Sequence, residues 1–184
     1  MRVITGTARG VVLKTPEGQH TRPTSDRVKE ALFSIIQFDI PNAKVLDLFG
    51  GTGQLGIEAL SRGAKSAVFV DEREDACGLV KENLRRTKLT QNATVIRSDY
   101  MSYLKRCREQ FDIIFLDPPY NTDLLDQALE MIATFDICRA HGIIVAESAA
   151  DKVLPAMPAP YRLYREYRYG QIKLTVYHRD GNED

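Results

Sequence analysis

Apolar residues follow two rhythms in the middle of this chain. Short unbroken apolar blocks alternate with stretches in which apolar residues recur every three or four positions. The blocks are Val45-Leu46-Asp47-Leu48, Ala67-Val68-Phe69-Val70-Asp71, Thr94-Val95-Ile96, Ile113-Ile114-Phe115-Leu116 and Gly142-Ile143-Ile144-Val145-Ala146. Each predicts a strand, and Ile113-Ile114-Phe115-Leu116 suits one buried on both faces. Between them, the helical rhythm predicts helices over about 54–61, 75–89, 99–107 and 124–132. An earlier helix starts at Arg22-Pro23-Thr24-Ser25-Asp26, where a proline, hydroxyl caps and a first-turn acid meet. Its stripe is Val28, Leu32, Ile35 and Ile36, and Pro41-Asn42 is expected to end it. Strand and helix in alternation predict an α/β fold with a mainly parallel sheet.

The two ends of the chain break this rhythm. Tyr161 to Tyr169 and Gln171 to His178 alternate polar and apolar around Tyr169-Gly170, which predicts an antiparallel hairpin closing one sheet edge. At the front, Arg2-Val3-Ile4 and Gly10-Val11-Val12-Leu13 are expected to pair through the turn between Gly6 and Gly10. Residues 1–23 are basic, with Arg2, Arg9, Lys14 and Arg22 against one acid, Glu17.

Composition narrows the classes. With 184 residues, 43% of them hydrophobic, one domain with a sizeable core is expected. The 25 basic and 25 acidic residues cancel, so any nucleic-acid contact must come from local patches. No apolar run approaches the roughly 18–20 residues of a membrane span, and no signal-peptide core opens the sequence. Cys77, Cys107 and Cys138 share no metal or disulfide spacing, and His20, His141 and His178 are scattered; a cytoplasmic protein without a metal site is expected.

Candidate chemistry sits where the apolar blocks stop. Phe111 to Leu116 ends in Asp117-Pro118-Pro119-Tyr120. Two prolines remove N–H groups and stiffen the backbone, so the corner presents the Asp117 carboxylate and the Pro118 carbonyl as acceptors beside an aromatic ring. Two acceptors and a flat face suit the exocyclic amine of a nucleobase. Asp47, Asp71, Asp99 and Asp117 stand at or just past the carboxyl ends of four successive strands, where open parallel sheets bind ligands. Gly50-Gly51-Thr52-Gly53 follows the first of them. Gly51-x-Gly53-x-x-Gly56 matches a dinucleotide fingerprint, and close strand–helix packing would produce the same letters. Asp47 argues against a pyrophosphate there, because a carboxylate before the turn would repel it. It suits a sulfonium and an ammonium instead.

The stretch Asp47-Leu48-Phe49-Gly50-Gly51-Thr52-Gly53 resembles the first motif of class I S-adenosylmethionine-dependent methyltransferases, and Asp117-Pro118-Pro119-Tyr120 resembles their amino-methylating motif. Arg22-Pro23-Thr24-Ser25-Asp26-Arg27-Val28-Lys29-Glu30-Ala31-Leu32-Phe33 resembles the signature of the RsmD family, the bacterial 16S rRNA guanine-N2 methyltransferases. That resemblance implies a Rossmann-like sheet of seven strands, the last antiparallel, with helices on both faces. It implies a methyltransferase domain over 24–184 behind a basic hairpin extension over 1–23. S-adenosylmethionine would meet Asp47, Phe49, Gly50, Gly51 and Gly53, with Asp71 on the ribose and Asp99 and Tyr100 on the adenine side. Asp117, Pro118, Pro119 and Tyr120 would hold the target, one guanine in a P-site-facing hairpin loop of 16S rRNA in assembled small subunits.

For RNA contact the expected residues are Arg2, Arg9, Lys14, Arg22, Arg27 and Arg168, with Lys29 and the tail residues Arg162, Arg165 and Lys173 as further basic candidates. Arg27 has a second option, the methionine carboxylate of the donor. The chain is expected to act as a monomer. Methylation of DNA or protein amino groups, NAD-linked hydride transfer and a non-catalytic assembly role are the competing readings.

Overall fold

The structure, a computed structural model, describes residues 1–18, 23–120 and 122–182, without the side chains of residues 23–25. Its elements in order are α1 (Pro23–Ile35), β1 (Lys44–Asp47), α2 (Gln54–Ser61), β2 (Ser66–Asp71), α3 (Glu74–Thr87), β3 (Ala93–Arg97), α4 (Tyr100–Arg106), β4 (Phe111–Leu116), α5 (Leu124–Phe135), β5 (Cys138–Ala149), β6 (Tyr161–Tyr169) and β7 (Ile172–Arg179). The strands form one sheet in the order β3-β2-β1-β4-β5-β7-β6. The first five run parallel, and β7 is antiparallel to both β5 and β6.

Period-two alternation divides the apolar blocks between two cores. Val45, Phe69, Ile113, Phe115 and Val145 face one side, where α1, α2 and α3 add Leu32, Phe33, Ile57 and Val80. Leu46, Val68, Ile114, Leu116 and Ile144 face the other, where α4 and α5 add Leu104, Leu125 and Leu129. That is why the blocks are continuously apolar.

The predicted N-terminal hairpin forms, with Val3 N–H donating to Val11 O at 3.0 Å and Arg2 bridging Val12. It lies against α2. The buried Glu58 carboxylate accepts from the N–H groups of Ile4 and Thr5 at 2.9 and 3.0 Å, and Val3, Ala8 and Leu13 enter the first core.

Two boundaries differ from expectation. Helix α1 ends at Ile35, ahead of Pro41, because the chain turns there: Asp39 N–H donates to Ile36 O and Ala43 N–H to Ile40 O, while Ile36 and Ile40 stay buried. Strand β5 runs from Cys138 to Ala149 rather than 142–146, because β7 pairs with its polar end as far as Ala149 opposite Ile172.

Candidate active site

Sheet order reverses between β1 and β4, which are adjacent parallel neighbours. The connections leaving their carboxyl ends therefore diverge and leave a crevice. A cleft of about 1120 Å³ opens there. Phe49, Gly51, Asp71, Asp99 and Tyr100 line it from one side, and Asp117, Pro118, Pro119 and Tyr120 from the other. The glycine loop and the double-proline corner thus face a single space. Asp47, Gly50 and Gly53 stand behind that lining.

The glycine loop has its own reasons for its letters. Gly51 and Gly53 sit at φ +56° and +78°, a region that side chains resist, and Gly53 N–H donates to Gly50 O at 2.7 Å to close the turn. Gly56 has a different role. A Cβ there would lie 2.3 Å from the Phe69 ring, so the third glycine of the fingerprint serves helix-to-sheet packing.

Each strand-end acid is held in a particular way. Asp47 is buried and accepts from Gly56 N–H at 3.1 Å; burial raises its pKa to about 7, against the pull of that hydrogen bond and with a smaller push from Asp71. Asp71 accepts from Gly51 N–H and from Arg73 N–H, each at 3.0 Å, tying the glycine loop to the end of β2. Asp99 caps α4 by accepting from Ser102 N–H at 2.9 Å, which lowers its pKa. Phe49 and Tyr100 form an aromatic wall with centroids 5.5 Å apart, and the Tyr100 hydroxyl donates to Gln127.

At the corner, Pro118 is buried and Pro119 exposed, and Thr122 Oγ1 donates back to Pro119 O at 2.9 Å. Tyr120 donates its hydroxyl to Glu147 Oε1 at 2.7 Å. Burial, then the Glu147 charge, then that of Asp47 push Asp117 well above the usual carboxylate range. Glu147 is itself raised by burial, with the Tyr120 hydroxyl pulling the other way.

Sequence reasoning missed Glu147, although it follows Ala146 as Asp117 follows Leu116. Asn83 was also missed. Its amide accepts from Lys14 N–H at 2.7 Å and donates to Lys14 O and Thr52 O at 3.0 and 2.9 Å, clamping the N-terminal segment to the glycine loop. Met1, Thr15 and Pro16 consequently line one side of the cleft. No local signal marks an asparagine on a helix for that task.

The expected RNA-contact residues Arg2, Arg9, Lys14, Arg27 and Arg168 are exposed and lie outside the cleft lining. Lys14 pairs with Glu82 at 3.6 Å. Arg22 lies outside the described residues. Arg162 and Arg165 are exposed on β6, but two basic candidates are corrected. Lys29 is 2% exposed, donating to Arg2 O at 2.7 Å and pairing with Glu58 at 3.6 Å. Lys173 is equally buried, holding Lys152 O and Glu166. Both sit on inward faces of their elements, where long-range acids and carbonyls receive them.

No described helix is long and apolar enough to cross a membrane, and no described cluster of His, Cys, Asp or Glu could hold a metal. Known proteins match over nearly the whole length. A family model described as "Conserved hypothetical protein 95" covers residues 1–178. YlbH of Bacillus subtilis (strain 168) is 39% identical over 184 residues, covering 98% of this chain and 100% of its own. Ribosomal RNA small subunit methyltransferase D of Escherichia coli (strain K12) is 35% identical over 180 residues, covering 98% of this chain and 90% of its own. The solved structure of Escherichia coli yhhF superposes with a TM-score of 0.89 at 33% identity over 99% of both chains. The doubly wound sheet with its antiparallel final strand is therefore a Rossmann-like methyltransferase fold.

Proposed function

The chain belongs to the RsmD family, that of ribosomal RNA small subunit methyltransferase D, and from that membership we propose that it methylates the exocyclic N2 of one guanine in 16S rRNA. The methyl donor is S-adenosylmethionine. The target lies in a P-site-facing hairpin loop and is reached in the assembled small subunit. One observation carries the reading: the glycine loop after β1 and the Asp117 corner after β4 open into the same cleft.

The lining fits a cationic donor better than a dinucleotide. It contains five carboxylates, Asp71, Glu72, Asp99, Asp117 and Glu147, against two cations, Lys29 and Arg73. Gln54, at the start of α2, keeps a buried side-chain oxygen that accepts from nothing among the described residues. An ammonium would supply the missing donor, and a pyrophosphate would meet repulsion instead. Phe49 and Tyr100 offer a wall for the adenine, with Asp71 and Asp99 beside them for ribose and purine N–H groups. Asp47, set behind the lining, contributes its field and braces α2.

The donor, held by Phe49, Gly51, Asp71, Asp99 and Tyr100, would supply an electrophilic methyl on sulfonium sulfur with a neutral thioether as its leaving group, and the amine's surplus proton would pass to water. Asp117 and the Pro118 carbonyl accept the two N–H groups of the amine and direct its lone pair inward. Pro119 stiffens the corner, and Tyr120 stacks on the base, which must leave its helix or already stand unstacked in a loop. Positioning supplies most of the acceleration.

RNA reaches the cleft between two basic borders. The N-terminal extension over 1–23 carries Arg2, Arg9, Lys14 and Arg22, and its neighbours Met1, Thr15 and Pro16 line the cleft. Ile172, which pairs with Tyr169 next to Arg168, also lines the cleft. Arg27 completes the set on α1, and 24–184 forms the methyltransferase domain. These local patches stand in for the absent net charge. The protein is expected to work in the cytoplasm as a monomer.

The test is transfer of tritiated methyl to small subunits from a strain lacking the protein, followed by nucleoside analysis. N2-methylguanosine is expected, and Asp117→Ala should lose roughly a hundredfold or more in turnover. Label on another nucleoside, or an Asp117→Ala variant as fast as wild type, would reject the assignment.

A further inference from the structure

Two carboxylates face the double-proline corner. In the β4–β5 register Leu116 pairs with Ala146, so Asp117 and Glu147 are the next residues on neighbouring parallel strands, and both line the cleft. Neighbouring strands lie about 4.8 Å apart, and equivalent residues point to the same face. The two acids are therefore side by side at the rim. Tyr120 fixes the second of them with its 2.7 Å hydrogen bond to Glu147 Oε1. The ring that offers a stacking face and the carboxylate at its edge thus form one rigid unit. Among the described residues neither Asp117 nor Glu147 forms an ion pair, so their acceptor capacity is not spent on a cation.

An exocyclic amine alone does not need two carboxylates. Nucleobases with amines differ in the ring atom next to the amino-bearing carbon. Guanine carries N1–H beside its N2 amine, a second donor at the same edge. Adenine N1 and cytosine N3 carry a lone pair at the corresponding place. A carboxylate facing a lone pair is repulsive, and one facing N–H makes a charge-assisted hydrogen bond.

We propose that Glu147 is a specificity residue that accepts the ring N1–H of guanine while the Asp117 corner holds the adjacent amine. The inference rests on the guanine-N2 reading and gives it a physical reason: the pocket selects the base with two neighbouring donors. Asp117 engages the group common to all three amino bases, and Glu147 tells them apart. Tyr120 stacks on the base and also holds Glu147 in position.

The test compares small subunits reconstituted from 16S rRNA carrying either guanosine or 2-aminopurine riboside at the methylated position. The analogue keeps the amine at C2 but has a lone pair at N1. Wild-type protein should prefer guanosine in kcat/KM by roughly 10- to 100-fold. In E147Q the preference should collapse toward equality, because the amide offers an N–H to the lone pair. E147D should restore part of it. Tyr120→Phe, which keeps the ring and removes the hydroxyl, should fall between wild type and E147Q. Thermal unfolding verifies that each variant is folded, and E147D and Tyr120→Phe carry the comparison if E147Q is not. Wild-type preference retained in the folded variants would overturn the role of Glu147 while leaving guanine methylation intact. Wild-type label on adenosine or cytidine would instead overturn the guanine reading, and this inference with it.

Discussion

Glu58, fully buried, and Glu147, half-buried at the cleft, are acids of the same small domain that differ in how many donors surround them. Glu58 is completely buried and accepts from two backbone N–H groups at 2.9 and 3.0 Å and from Arg62 Nε at 2.9 Å, with Lys29 Nζ at 3.6 Å. Among the described residues Glu147 has one donor, the Tyr120 hydroxyl, and an acid neighbour in Asp117. A carboxylate with all its partners supplied from within the chain is scaffold: it joins the N-terminal hairpin, α1 and α2. A carboxylate left short of donors at a cleft is held ready for the donors of a ligand.

The comparison breaks most visibly at its scaffold end. Glu58→Ala strands two backbone N–H groups and a buried lysine, and should cost about 3–5 kcal/mol in urea-induced unfolding. A smaller loss would mean that the hairpin is only loosely attached.

Asp47 tests the other side. Its folded pKa of about 7 exceeds the ordinary aspartate value of about 3.9 in the unfolded chain. Between those values the folded state keeps a proton that the unfolded state has lost, so stability falls as pH rises through that window. Asp47→Asn removes the penalty and still accepts from Gly56 N–H. Its stability advantage should grow from pH 5 to pH 8, reaching on the order of 2–4 kcal/mol, while affinity for the methyl donor falls. An advantage independent of pH would contradict the assignment.

The smallest expected effect is a shift in a pH profile. Burial raises both Asp117 and Glu147, so the acid limb of kcat/KM should lie at higher pH than ordinary exposed carboxylates would place it. Tyr120→Phe removes the hydroxyl that holds the Glu147 pKa down, so the limb should move to higher pH. A limb unmoved by that substitution would show that Glu147 does not titrate in the free enzyme's activity.

Much of the candidate site was legible because its acids stand at or just past the ends of apolar strands, Asp71 and Asp117 directly and Asp99 two residues after β3. Asp71, Asp99 and Asp117 all line the cleft, and the corner at Pro118-Pro119 stands where its backbone chemistry predicts. The same rule applied to Glu147, the first residue after Ala146, would have found it, but no glycine loop or proline corner follows it to draw attention there. Lys29 and Lys173 read as surface cations, since the acids and carbonyls that draw them inward are distant in sequence. Gly56 packs on Phe69, the strand–helix packing that the fingerprint letters also allowed.

By itself the sequence determined what local chemistry controls: where strands lie, where stiff or left-handed backbone is required, and which acids end the strands. Side-chain periodicity and steric limits on φ act over a few residues, so they are written in neighbouring letters. Only the tertiary structure decided which strand ends became neighbours. Setting β4 between β1 and β5 brought Asp117 against the glycine loop on one side and Glu147 on the other. That choice belongs to burial of the whole sheet between its two helical layers, a balance spread over the entire chain and visible in no single stretch of it.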